Sequence, residues 1–224
     1  MSESVFKLKG KTIVLIDWAN VYGWFKKLKW EIDTKRLYEY LKTYPEIIDI
    51  RFYFGLEKGN ERSEKFHQEI KEIGYNLISK EVKWAPAEVK IAPRFKFQNK
   101  IYNLFESGKI KPEDYNKFVA SLNDILNQTG LLRRKCDFDV EITLDVMKRI
   151  NEIDGIILFS GDGDFKVLCE YLLDKGKQVI VVHPFGVRGR EYNELLERKG
   201  HKPYLCAVEK LTFYIKKSTP GGIA

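Results

Sequence analysis

The chain has 224 residues, of which 44% are hydrophobic, so it is long enough to bury a substantial core in one α/β domain. The net charge is +7, and residues 83–135 contain eleven Lys and Arg against five Asp and Glu. This local excess favours a polyanionic partner, with nucleic acid ahead of an anionic membrane. No apolar run is long enough to span a bilayer and no signal peptide begins the chain, so we expect a cytoplasmic protein without membrane association.

The three cysteines are widely spaced and odd in number, and Cys169 lies in an apolar helical pattern. This usage is typical of reduced thiols rather than of a disulfide scaffold. Neither the cysteines nor the three histidines have zinc-ligand spacing. We therefore expect no structural zinc.

In the first third of the chain, apolar runs alternate with helical patterns. Residues 11–17 (KTIVLID) predict a buried strand that ends in Asp17, and Asn20 follows in the next predicted helix. A second helix, a strand at 50–54, a helix at 62–73 and a strand at 75–82 continue the alternation. Such alternation is typical of a parallel sheet covered by helices.

The alternation lapses between about residues 84 and 134. Residues 94–100 (RFKFQNK) interleave basic and aromatic side chains, and an amphipathic helix follows from Lys111. Here Arg94 and Lys96 are candidates for binding a single nucleic-acid strand, although the aromatic rings are equally suited to docking the segment. We predict one domain over residues 1–217 with a basic helical insertion at 84–134, and a flexible tail at 218–224. The insertion is open to three roles: substrate clamp, dimer contact or lid.

The last third returns to alternation. Residues 137–145 (DFDVEITLD) lead into a helix, and 156–165 (IILFSGDGDF) form a buried strand, a turn and the start of a helix. A strand at 178–182, a helix at 188–198 and an edge strand at 211–215 are predicted next. In open α/β sheets, ligands bind beyond the carboxyl ends of the strands, where the SGDG turn would lie.

Carboxylates follow two of the predicted buried strands, at Asp17 and Asp162, and Asp139 can reach the same sheet edge. Three ionised carboxylates around one cavity repel each other unless a cation binds them. Mg²⁺ and Mn²⁺ prefer oxygen ligands, and such an ion can activate water for attack on a phosphodiester. Alternatively, Asp162 is only a turn residue and Asp164 only a helix N-cap.

The position of Asp145 relative to Asp139 depends on where the helix begins. Six residues turn a helix by about 240°, so the two carboxylates share no helix face. Both can serve one site only if Asp139 lies at or before the first turn.

Three motifs together resemble the NYN domain, closest to its LabA-like bacterial and archaeal branch within the PIN-like nuclease superfamily. They are Asp17-x-x-Asn20, the FDVE sequence at 138–141 with Asp145, and LFSGDGDF at 158–165. The resemblance covers about residues 11–182 apart from the insertion. It implies a three-layer α/β/α sandwich with a mostly parallel sheet and a metal-dependent ribonuclease site. The implied ligands of Mg²⁺ or Mn²⁺ are Asp17, Asp139 and Asp162, with catalytic support from Asn20, Asp145, Ser160 and Asp164.

The partner expected from this resemblance is single-stranded or structured RNA, with DNA as an alternative and a homodimer as an open assembly state. Further phosphate-binding candidates are Lys135, Arg188 and Arg190. The competing function is a non-catalytic RNA-binding or regulatory module on the same fold. A phosphatase with Asp17 as nucleophile is disfavoured because Ala19 stands where a second Asp is expected, and no Gly-x-Gly-x-x-Gly motif supports a dehydrogenase.

Overall fold

The computed structural model describes residues 4–86 and 96–218, in two compact units. The larger unit comprises the chain up to Glu81 and from Cys136 onwards, and the smaller unit is Val82–Lys135. The strands are β1 Thr12–Asp17, β2 Ile47–Leu56, β3 Asn76–Glu81, β4 Lys83–Pro86, β5 Leu132–Lys135, β6 Gly155–Phe159, β7 Gln178–His183 and β8 Tyr204–Ala207. The α-helices are α1 Trp18–Leu28, α2 Thr34–Leu41, α3 Glu61–Ile73, α4 Lys96–Glu106, α5 Pro112–Gln128, α6 Asp139–Lys148, α7 Lys166–Asp174, α8 Tyr192–Glu197 and α9 Thr212–Ile215.

The larger unit is built on a six-stranded sheet in the order β3-β2-β1-β6-β7-β8, and every pair of neighbours is parallel. Strands β1 and β6 are buried along their whole length, as expected for apolar strands with helices on both faces. From β1 the chain builds outward to β3, and from β6 it builds the opposite way to β8. The strand order therefore reverses between β1 and β6, where α/β folds form their ligand sites.

Two apolar cores lie on opposite faces of this sheet. Val14 and Ile16 face the core that contains α1 and α2, whereas Ile13 and Leu15 face the core that contains α6 and α7. Alternate residues of one strand thus serve both cores. The expected α/β/α sandwich with a mostly parallel sheet is confirmed.

The prediction of an edge strand at residues 211–215 is wrong, because this segment contains α9. Leu211 and Ile215 are four residues apart and both fully buried, whereas Phe213 between them is 82% exposed. That is helical spacing, since a half-buried strand would place all three residues on one face. The edge strand next to β7 is β8, which no sequence pattern predicted, and the helix expected at 188–198 is limited to α8.

The smaller unit contains α4 and α5, together with strands that the sequence did not predict. Strands β4 and β5 pair antiparallel, with Lys83 opposite Lys135. Tyr115 and Val119 of α5 are buried in a small core, and the Tyr115 ring stacks on Phe105 at 5.2 Å between ring centroids. Within residues 4–86 and 96–218, no helix is both long and apolar enough to cross a membrane.

Candidate active site

Two adjacent parallel strands bring the first carboxylate and the SGDG turn together. Ile16 of β1 pairs with Phe159 of β6, so the residues that follow them, Asp17 and Ser160, leave the sheet side by side. The Ser160 hydroxyl donates a hydrogen bond to Asp17 Oδ2 at 3.3 Å, across 143 residues of chain. Both side chains are buried, with exposures of 0% for Ser160 and 8% for Asp17. The strand register therefore places Asp17 and Ser160 next to each other at the centre of this site.

Asn20 connects the first helix to the turn after β6. Its backbone N–H donates to Asp17 Oδ1 at 3.4 Å, so that Asp17 serves as the N-cap of α1. Its side-chain Oδ1 accepts from the Gly161 N–H at 3.0 Å and from the Trp24 indole N–H at 2.8 Å. The amide is thus held by two donors and fixes the turn against α1. Trp24 is buried in the core beneath α1, and from there its indole orients the Asn20 amide.

The SGDG turn is held from within and from α8. The Asp162 N–H donates to Ser160 Oγ at 3.2 Å, and the Asp164 N–H donates to Asp162 Oδ1 at 3.1 Å. The Tyr192 hydroxyl donates to the Asp162 carbonyl at 2.8 Å. Asp162 is therefore the N-cap of a short 3₁₀ segment, Gly163–Phe165, so the capping role proposed for Asp164 falls to Asp162. Capping uses one carboxylate oxygen of Asp162.

The remaining carboxylate comes from the first residue of α6. Asp139 is partly buried, and among the described residues it has neither a hydrogen bond nor an ion pair through its side chain. Burial is the largest cause that raises the pKa of Asp139 from 3.8 to about 6, and the negative charges of Asp162, Asp137 and Asp164 act in the same direction. Asp139 thus lies in the electrostatic field of the turn after β6.

Asp17, the last residue of β1, also has a raised pKa. Its burial is the largest cause that raises its pKa from 3.8 to about 6, and the charges of Asp139 and Asp162 add to it. Hydrogen bonds from Asn20 and Ser160 act in the opposite direction but do not cancel the effect. Asp17, Asp139 and Asp162 hence form one interacting group, which we call the acidic cluster. Neighbouring carboxylates with raised pKa values are concentrated at functional sites.

Lys80 is a cation beside the acidic cluster that sequence reasoning missed. It extends from β3, and its ammonium group lies 2.6 Å from Glu141 and 4.6 Å from the centre of the Phe138 ring. Its charge lowers the pKa of Asp139 and so partly opposes the effect of burial. Because β3 and α6 are distant in sequence, no local pattern indicated this pairing.

Asp145 has its own partners, which lie on β2. Its Oδ2 lies 2.7 Å from Arg51 Nη1 and accepts a hydrogen bond of 2.8 Å from the Tyr53 hydroxyl. Arg51 also pairs with Asp49 at 2.8 Å, and Arg149 pairs with Asp49 at 2.6 Å. Asp49, Asp145, Arg51 and Arg149 form a network, which we call the paired cluster.

The predicted phosphate-binding residues are placed in different parts of the molecule. Arg188 donates to the Asn193 side chain at 2.8 Å, and the nearby Arg190 is exposed. Lys135 is exposed at the end of β5, and Lys96 begins α4; both belong to the smaller unit. Arg94 lies outside the described residues.

The loop after β7 packs directly on the SGDG turn. The Gly189 N–H donates to the Gly161 carbonyl at 2.8 Å. A Cβ atom on Gly189 would collide with the Gly163 Cα, so only glycine allows the two loops to cross this closely. His183 at the end of β7 is buried, and burial lowers its pKa. Its Nδ1 lies 2.8 Å from the Pro184 carbonyl, and in the described part of the chain Nε2 has no hydrogen-bond partner.

The chemistry of the acidic cluster suits a hard divalent cation, because its donors are carboxylate oxygens that repel one another. In the described ranges, however, no three His, Cys, Asp or Glu side chains are grouped closely enough to hold one ion. The residues therefore have the right donor type and shared electrostatics, without the assembled ligand geometry.

Comparisons with known proteins agree with this architecture. The NYN domain model matches residues 11–96 and 96–195. The chain is similar to the low amplitude and bright protein LabA of Synechococcus elongatus, with 25% identity over 187 residues, which cover 83% of this chain and 80% of that protein. Its fold is similar to the crystal structure of a protein of unknown function from Vibrio parahaemolyticus, with a TM-score of 0.53 and 18% identity over 89% of this chain and 96% of that one.

Proposed function

Since the chain belongs to the NYN domain family, as a LabA-like protein with a nuclease-type fold, we propose that it is a metal-dependent endoribonuclease. The reaction would be hydrolysis of RNA phosphodiester bonds. The observation that carries the proposal is the acidic cluster, where Asp17 and Asp139 have pKa values raised to about 6 at the strand-order reversal of the sheet.

Asp17, Asp139 and Asp162 are the residues we assign to Mg²⁺ or Mn²⁺, the ions typical of this class of nuclease. A bound ion would lower the pKa of a water molecule and stabilise the departing oxygen of the phosphodiester. The protein's own contribution is orientation. Ser160 fixes Asp17 from β6, and Asn20 fixes the Gly161 backbone from α1. Asp164 is exposed beside the cluster, where it can hold water.

Positive groups beside the cluster would hold the RNA backbone. Lys80 lies beside Asp139, and Arg188 and Arg190 are on the loop that packs against the SGDG turn. Lys135, Arg94 and Lys96 are further candidates in the basic segment, which carries most of the net charge. We also propose a cytoplasmic location, supported by three cysteines that are free thiols. A DNA substrate and a homodimer stay predictions.

A cleavage assay tests this proposal. Labelled single-stranded RNA is incubated with the full chain and Mn²⁺, Mg²⁺ or EDTA, with Asp162→Asn as the site variant and Asp174→Asn as its control. Asp174 is an exposed carboxylate at the last residue of α7, and its substitution by Asn removes the same charge. We expect metal-dependent cleavage that Asp162→Asn abolishes and Asp174→Asn leaves intact.

A second candidate is a non-catalytic RNA-binding module. It is favoured by one observation, namely that no three potential ligands in the described ranges are grouped closely enough for one ion. In that case the wild-type chain and Asp162→Asn would both be inert and would bind RNA equally well. Cleavage that survives Asp162→Asn would contradict both the proposed metal site and the non-catalytic module.

A further inference from the structure

An aromatic ring projects into solvent from the loop that follows β7. Phe185 is 77% exposed, and it lies two residues beyond His183, the last residue of the strand. Because β7 pairs with β6, this loop leaves the sheet beside the SGDG turn of the acidic cluster. Single exposed aromatic residues are common on protein surfaces, so exposure alone indicates nothing. Its fixed backbone and its surroundings distinguish Phe185.

The loop is held at both ends. The Phe185 N–H lies 3.1 Å from each carboxylate oxygen of Glu209, which anchors the first part of the loop. The Val187 N–H donates to the Pro184 carbonyl at 3.0 Å and closes a tight turn around Phe185. At the other end, Gly189 is bonded to Gly161 of the SGDG turn. The ring is therefore presented by a backbone fixed relative to the acidic cluster, so little freedom is lost when it contacts a ligand.

Cationic side chains lie along the same loop. The Lys27 ammonium is 4.0 Å from the position that a Cβ atom would occupy on Gly186, the residue after Phe185. Arg188 is three residues after Phe185, and its hydrogen bond to Asn193 orients it. An exposed ring with cations on the same loop and beside it is the combination that binds single-stranded nucleic acid, because the ring stacks on a base while the cations neutralise the phosphates.

We propose that Phe185 stacks on one base of a bound single-stranded RNA, next to the phosphate held at the acidic cluster. The inference rests on the proposed ribonuclease function and adds a base-binding position to it. Stacking requires only the flat face that every base has, so this position selects unpaired over paired nucleotides rather than a particular sequence.

The test is a binding titration of a labelled single-stranded RNA, with all variants made in the full chain carrying Asp162→Asn to prevent cleavage. Phe185→Ala should weaken binding by about 5- to 150-fold, the range found for loss of one stacked base. Phe185→Trp should restore it, because tryptophan also offers a stacking surface. Phe213→Ala is the matched control, since Phe213 is 82% exposed and lines a hollow with Pro45 and Glu46, at the amino ends of the strands.

Two further readouts separate stacking from a general loss of affinity. RNAs with a single abasic position are scanned along the strand. At one position, the abasic change should weaken RNA binding by the chain that keeps Phe185, but it should cause no further loss of affinity in Phe185→Ala. The slope of log affinity against log salt should be the same in both, because the substitution removes no charge.

The stacking site would be overturned if Phe185→Ala bound RNA as tightly as the chain that keeps Phe185, or if Phe185→Ala and Phe213→Ala lost the same RNA affinity. Either result would leave the ribonuclease proposal standing. A wild-type chain that neither binds nor cleaves RNA would overturn both. Cleavage by the wild type with unchanged abasic profiles in Phe185→Ala would overturn the stacking site alone.

Discussion

The acidic cluster and the paired cluster share one helix, and the protein treats their charges in opposite ways. Asp139 begins α6, and Asp145 lies about 9 Å further along its axis. Asp145 and Asp49 are paired by Arg51 and Arg149. In the part of the chain that the structure describes, no Lys or Arg forms an ion pair with Asp17, Asp139 or Asp162, and burial raises the pKa of the first two to about 6.

This difference separates carboxylates that hold the fold from carboxylates that are available to a ligand. Arginines satisfy the paired cluster, so a cation from solution would compete with charges already present. The acidic cluster keeps buried charges that also repel each other, which destabilises the ligand-free fold at neutral pH. Such unfavourable arrangements occur where function requires them.

The largest expected effect contrasts the same substitution in the two clusters. Asp139→Asn should lower the rate of RNA cleavage by about 10²- to 10³-fold, because a lost metal ligand removes several kcal/mol of charge stabilisation in the transition state. Asp145→Asn should keep the rate within about threefold, and should instead lower the free energy of unfolding by about 1–2 kcal/mol through weaker bonds to Arg51 and Tyr53.

Single-turnover cleavage rates and urea unfolding of both variants check this contrast. If Asp145→Asn lost activity to the same extent while remaining folded, the two clusters would be one site.

The next effect concerns the stability of the paired cluster. Arg51→Met should lower the free energy of unfolding by about 3 kcal/mol, because two largely buried carboxylates lose a shared partner. Lys58→Met is the control, since the ion pair between Lys58 and Glu81 is exposed to solvent and its loss should leave the free energy of unfolding nearly unchanged. Urea unfolding at pH 7 measures both. Equal small losses would indicate that Arg149 alone satisfies Asp49 and that Asp145 needs no cation.

Local patterns predicted the sheet and the carboxylates at its edge. The apolar runs before Asp17 and Asp162 read directly as buried strands, and parallel pairing then places their ends together. The pairing of Asp145 was not predictable, since Tyr53 lies 92 residues away and Arg51 faces it only when β2 packs on α6. Lys80 escaped notice for the same reason, because its partner Glu141 is 61 residues away.

A third effect reverses the usual sign of a mutation, because removing a charge should stabilise the protein. The pKa of Asp17 is about 6 in the folded state against an ordinary value of 3.8, so the folded state binds this proton more tightly. The stability that this group contributes is therefore complete below about pH 3.8 and is lost as the pH rises through about 6. At pH 7 without metal, Asp17→Asn should raise the free energy of unfolding by about 2 kcal/mol.

Thermal unfolding at pH 7 and pH 4.5 in EDTA checks this sign, since the gain should shrink at the lower pH. Asp33→Asn is the matched control, because Asp33 is the N-cap of α2 in the same way that Asp17 caps α1. A gain of equal size at both pH values, or in both variants, would show that the buried charge of Asp17 is not its cause.

The smallest expected effect is stabilisation by the ion itself. At ten times its dissociation constant, Mn²⁺ should stabilise the wild-type chain by about 1.4 kcal/mol, and the shift in melting temperature should decline between pH 7.5 and pH 5. It declines because protons compete with the ion at Asp17 and Asp139, whose pKa values are about 6. Asp162→Asn should lose the shift, whereas Asp145→Asn should keep it because arginine already occupies that cluster. A shift that is independent of pH and survives Asp162→Asn would place the ion elsewhere, and the contrast between the two clusters would then have no bearing on metal binding.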